Sequence, residues 1–218
     1  MGFIGVGEMP MQATEAAGRD AARFSPELTL GEARARLFAL SGFPPDGGYG
    51  DAWVVLKLWR IPLAFPNTAG RRRAVRFHDL HHVLTEYRTD WRGEFEIAAW
   101  EVAGGVNRYW EGWVLDLLGF ACGLFVFPRS VYRAFMRGRR SRNLYFDEWD
   151  EAILSRRVGE VRRRLGLDSE EARPTREDRR AFLFWSAASL LTYAVTGLVM
   201  LAPPLALAGV TLWLWLAR

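Results

Sequence analysis

The chain has 218 residues, half of them hydrophobic and a quarter charged, with a formal net charge of +4 and a mean hydropathy of −0.05. Such averages describe an ordinary globular protein. Yet 53 of the 54 charged residues lie before residue 181, which argues against a wholly soluble single domain. The lone Cys122 excludes an internal disulfide and a multi-thiolate metal site, and it fits a reducing compartment.

Residues 1–128 carry a net charge of −2 and residues 129–180 a net of +5, so the basic excess sits just before the apolar tail. Of the 29 basic residues 28 are arginine, a bias that runs along the whole chain and reflects genome composition; no nucleic-acid partner is expected. Residues 1–24 are small, polar and glycine-rich without a basic start and apolar run. They read as a disordered or loosely packed N-terminus rather than a signal peptide.

Ser25 or Thr29 can cap a helix running from Glu32 to Leu40. Residues 41–51 form a loop by their Pro and Gly content. Residues 52–63 are a buried helix or strand, a choice that periodicity does not settle in so short an apolar run. The pattern predicts a helix over 71–87, and a second over 91–103 capped by Asp90 and ended by Gly104 and Gly105. Residues 110–127 are apolar apart from Glu111 and Asp116 and read as a core helix. A basic amphipathic helix follows over 128–140, then short helices over 147–154 and 158–165, the last with Ser155 as its cap. No strand alternation of useful length appears, so the fold class is all-α, with residues 25–175 as a helical body.

Residues 181–217 contain no charge and divide at Pro203–Pro204. The first part has 22 uncharged residues, enough to cross about 30 Å of hydrocarbon. The second has 13. The expectation is a C-terminal transmembrane helical hairpin with the double proline at its tip and Trp213 and Trp215 at an interface. The arginines at 156–180 then keep the body on the cytoplasmic side of an inner membrane.

All three histidines, His78, His81 and His82, fall within five residues. At about 100° per residue, His78, Asp79 and His82 share one face of a helix and His81 falls away from it. Glu94 follows His82 after eleven intervening residues, and Glu101 lies seven further on. Two antiparallel helices joined near Thr89 and Asp90 would return both carboxylates to the imidazole face. That helix pair suits a divalent metal, zinc above all, with iron or manganese as alternatives. His81 and Glu101 are expected to support the ligands rather than bind metal. Three histidines are too few for the histidine-rich di-iron sites of membrane desaturases, and no histidine precedes His78 as an HD-type phosphohydrolase requires.

The segment HDLHH, followed by VLTEYRTDWRG and Glu94, resembles the HDxxH-x11-E pattern of the coenzyme Q (ubiquinone) biosynthesis protein 4 family. Gly93–Glu94 is similar to that family's GE pair, and residues 135–167 (FMRGRRSRNLYFDEWDEAILSRRVGEVRRRLGL) are similar to its C-terminal stretch. The resemblance covers roughly residues 71–167. It does not extend to residues 1–70, and a membrane hairpin is foreign to typical members.

The resemblance implies metal ligation by His78, Asp79, His82 and Glu94 in an all-helical, membrane-associated protein of the ubiquinone pathway. It further implies a polyprenyl aromatic lipid and other quinone-biosynthesis enzymes as partners, and oxidative decarboxylation or hydroxylation of the aromatic ring as the reaction. Arg137, Arg139, Arg140 and Arg142 are candidates for lipid headgroups. The alternatives are a non-enzymatic lipid-binding scaffold and, third, an unrelated metallohydrolase; a homo-oligomer is compatible with any of them.

Overall fold

A computed structural model describes residues 23–58, 61–169 and 173–216 of the chain. The order is α1 (Leu30–Ser41), β1 (Trp53–Leu58), β2 (Ile61–Pro66), α2 (Ala69–Thr85), α3 (Trp91–Gly104), α4 (Trp110–Val126), α5 (Pro128–Gly138), two short 3-10 turns (Leu144–Phe146 and Glu151–Ser155), α6 (Val158–Leu165) and α7 (Arg176–Leu216). The body is helical, as its patterning predicts.

Capping chemistry sets the helix starts. Thr29 closes a capping box with Glu32 at α1, and Asp90 accepts from the Gly93 N–H at α3. Ser155 does not cap α6; its hydroxyl donates to the Ala152 carbonyl, and Arg157 stands at the N-cap without a side-chain bond.

The core lies where α3 packs against α4 and α5, with α2 crossing to α1, α4 and α6. Trp100, Phe77, Leu84, Ile97, Phe120 and Phe135 are among its fully buried members. The approach of α5 to α3 is close enough that a Cβ at Gly138 would stand 2.3 Å from the Trp100 carbonyl oxygen. Phe24 is also fully buried and joins this core, so the body includes at least that much of the N-terminal segment. The remainder of the segment expected to be loosely packed, residues 1–22, lies outside the described residues.

Two expectations need correction. The run over residues 52–63, left open between helix and strand, belongs to an antiparallel hairpin over residues 53–66, in register from Trp53 opposite Pro66 to Leu58 opposite Ile61, but it is not buried throughout, since Trp53 is 59 % exposed. The run is apolar on successive residues rather than alternately, so its period carries no strand signal. In a two-stranded sheet every strand has an open edge, where a residue without an N–H such as Pro62 is tolerated.

The second correction concerns the tail. It is not a hairpin: α7 runs unbroken for 41 residues through Pro203 and Pro204. A proline removes one helical hydrogen bond and crowds the preceding turn, which bends a helix without reversing it. The part of α7 over Arg176–Ala202 is long and apolar enough to cross a membrane.

Candidate metal centre

α2 and α3 carry the site, and the turn between them aims it. Glu86 caps α2 in the left-handed region, at φ 64°. It is held there by Arg162, which donates to its carboxylate at 2.9 Å and to the Leu84 and Val83 carbonyls at the helix end. Across the turn, a Cβ at Gly93 would lie 1.9 Å from the Arg88 carbonyl oxygen. Only glycine fits there, and its absence of a side chain lets the first turn of α3 fold back with Glu94 facing α2.

The result brings three of the expected ligands together. The Nε2 atoms of His78 and His82 are 3.1 Å apart. The Glu94 oxygens lie 3.5 Å from His78 Nε2 and 3.4 Å from His82 Nε2. Each ring's other nitrogen is already committed. His78 Nδ1 faces Glu101 at 3.0 Å and 3.1 Å, and His82 Nδ1 faces the Tyr87 carbonyl at 3.0 Å. Both acceptors require an Nδ1–H donor, which leaves both Nε2 lone pairs pointing at one place beside a carboxylate. Two facing lone pairs repel unless a cation lies between them. A proton or a metal ion meets that need, so the donor set fits a divalent metal.

Asp79, the fourth of the expected ligands, is not brought into this trio. It accepts a hydrogen bond from the Tyr49 hydroxyl, supplied by the loop before the β-hairpin. Burial raises the Asp79 carboxyl against the pull of nearby His78.

His81 and Glu101 are both fully buried. The Leu144 N–H donates to His81 Nε2 at 2.9 Å, which fixes the imidazole as an Nδ1–H donor to Glu101 at 2.5 Å. Glu101 therefore accepts hydrogen bonds from two imidazoles and orients both. Burial would raise its carboxyl, but His78 and then His81 hold it well below the ordinary range. Burial likewise opposes charge on Glu94, and His82 and His78 overcome it, drawing it down to about 2. In the absence of metal, burial acts to lower His78, and Glu101 and Glu94 outweigh it to hold the imidazolium well above its usual range. His81 goes the other way, because burial dominates its one strong partner.

One residue of the site was missed by sequence reasoning. Asp116, on α4, joins His78 and Glu101 in a second group whose ligand atoms lie within 4.8 Å of one another. Its carboxyl is raised well above the usual range by burial and by the neighbouring Glu101 charge. The available signal was its position as the sole charge inside an otherwise apolar helix after the first turn.

The four arginines proposed for headgroups have partners or places in the body. Arg137 donates to the Thr85 carbonyl at 2.8 Å and lies over the Tyr87 ring. Arg139 and Arg140 face Asp178 at 3.5 Å and 3.8 Å. The Arg142 N–H bonds the Leu165 carbonyl. Comparison of the chain with family models, curated proteins and solved structures gives no match.

Proposed function

We propose that this chain is a membrane-associated, metal-dependent protein acting on a polyprenylated aromatic lipid in ubiquinone or related prenyl-quinone biosynthesis. The observation that carries the metal-binding part is the convergence of His78 Nε2, His82 Nε2 and the Glu94 carboxylate. The pathway rests on the HDxxH-x11-E resemblance, and the lipid on α7, whose length and hydropathy suit a membrane span. With the arginines of residues 156–180 preceding that helix, the body is assigned to the cytoplasmic face of an inner membrane.

Two nitrogens and one carboxylate form the donor set of an open zinc site, with a fourth position left for water or a substrate oxygen. A bound metal would there polarise a phenolate or carboxylate oxygen of the aromatic ring. The chain's own residues prepare that position. Glu101 fixes the His78 ring and Tyr87 the His82 ring, so neither imidazole has to reorganise. The Glu94 side chain is 37 % exposed, which marks the side from which a substrate reaches the trio.

A second reading, a scaffold in which metal pins α2 to α3 without turnover, is favoured by how firmly Glu101 already ties those helices. Glu94→Ala separates the two: a folded variant without turnover supports the enzyme, and one that still assembles its complex and restores quinone supports the scaffold. The pathway is tested by lipid mass spectrometry of a deletion strain complemented with wild type or His78→Ala. Restoration of quinone by wild type alone is expected. Unchanged quinones and precursors across all strains would overturn the assignment.

A further inference from the structure

The seam that joins α7 to the body has a defined end. Asp178, Phe182, Trp185, Ser189 and Tyr193 recur every three or four residues, and they meet Arg139, Phe135, Trp113 and Phe125 on the body. Ser189 is fully buried, whereas from 198 to 202 every side chain is exposed. α7 thus leaves the body at about Tyr193. The remaining residues to Leu216 correspond to about 35 Å of uncharged helix, so a crossing takes in the C-terminal end of the Arg176–Ala202 stretch and the apolar residues after it.

α5 runs antiparallel to the docked half of α7. Its C-terminal end meets Asp178, its middle meets Phe182 through Tyr132 and Phe135, and the corner before it meets Tyr193 through Phe125. The α4–α5 corner is therefore the leading edge of the body on the side toward which α7 departs. That edge is chemically two-faced. Phe125 and Val126 are 68 % and 59 % exposed. Beside them Pro128, Arg129, Tyr132 and Arg133 line an open groove of about 560 Å³. Arg129 and Arg133 are exposed, one helical turn apart, and have no carboxylate partner among the described residues.

We propose that this corner is a docking surface for anionic phospholipid headgroups: Phe125 and Val126 enter the bilayer interface while Arg129 and Arg133 hold phosphates. The charge is complementary, and the apolar edge is continuous with a helix suited to the membrane, on whose reading as a span the proposal rests. Docking there also serves the metal centre. Phe127, at the corner, packs on Phe95, and Phe95 on Trp91, at centroid distances of 6.3 Å and 5.9 Å. Glu94, on the open side of the trio, lies between those two in sequence. Docking the corner brings the first turn of α3, which carries Glu94, close to the bilayer surface, where a lipid substrate arrives.

The test uses the full-length protein in vesicles of phosphatidylcholine alone or of phosphatidylcholine with phosphatidylglycerol. Amide hydrogen exchange is read over residues 124–133, and retention of α7 is read by alkaline carbonate extraction. With α7 retained, anionic lipid is expected to slow exchange about fivefold for each arginine engaged. The Arg129→Glu/Arg133→Glu double variant, altered only at exposed positions, should lose that response. Equal exchange in both lipids with α7 retained overturns the docking surface and leaves the span standing. Extraction of α7 by carbonate overturns the span and the docking surface with it.

Discussion

His78 and His82, one turn apart on α2, present their Nε2 atoms to each other at 3.1 Å while Glu101 and the Tyr87 carbonyl hold their Nδ1 protons. Without a cation between them the arrangement is repulsive; with one it is prepaid.

Glu101 is the support that both His78 and His81 share, so removing its charge should weaken metal binding without deleting a ligand. Glu101→Gln is expected to lower affinity by about 10–100-fold, measured by competition with a chromophoric chelator. Glu101→Ala leaves the buried His81 imidazole and the half-buried His78 imidazole without their shared carboxylate and should also cost about 3 kcal/mol of stability. Wild-type affinity in Glu101→Gln would contradict this role.

The metal-stripped protein should lose stability as pH rises above about 6.5. His78 is held well above its ordinary value of 6.5, so its contribution is complete below 6.5 and is lost as pH climbs through the raised value. His81, lowered from 6.5, has the opposite sign, and its effect is confined to the range below 6.5. Glu94, drawn from 4.5 to about 2, adds stability above 4.5 that disappears as pH falls toward 2. Denaturant unfolding across pH should show the decline on the alkaline side, shallower in His78→Asn. A flat or rising wild-type profile there contradicts the ion network.

Asp116 is expected to be a neutral hydrogen-bond donor beside Glu101 at pH 7. Asp116→Asn keeps a donor of the same shape and should change stability by about 1 kcal/mol or less, the net worth of one hydrogen bond, while deleting a protonated-carboxyl band from the infrared spectrum. If the band survives in the variant, the proton belongs elsewhere.

Arg162 closes the end of α2 on which His82 stands. It is 8 % exposed and donates to the Leu84, Val83 and Phe24 carbonyls and to Glu86. Arg162→Ala orphans those acceptors and the Glu86 charge and should cost about 3 kcal/mol, or roughly 6–12 °C in Tm for a chain of this size.

Much of this centre was legible because it is local. The α2–α3 pair, the Asp90 cap and the return of Glu94 and Glu101 follow from helical period and short-range capping, which the residues themselves encode. What was hidden is contributed from a distance: Tyr49 arrives from a loop 30 residues before Asp79, Asp116 from another helix, and the Leu144 N–H from 63 residues after His81. Asp79 shares a helical face with His78 and His82 by angle alone, but a neighbouring hydroxyl claims it. The hairpin of residues 53–66 stayed undecided and the continuity of α7 was misread for one reason: apolar runs and prolines mark burial and irregularity without fixing direction.

If His78, His82 and Glu94 bind one divalent metal, elemental analysis of the purified full-length protein should find about one zinc, iron or manganese ion per chain, lost from folded His82→Ala and from Glu94→Ala. Absence of stoichiometric metal from the wild-type protein after growth in metal-replete medium, or its undiminished retention in both variants, would contradict it.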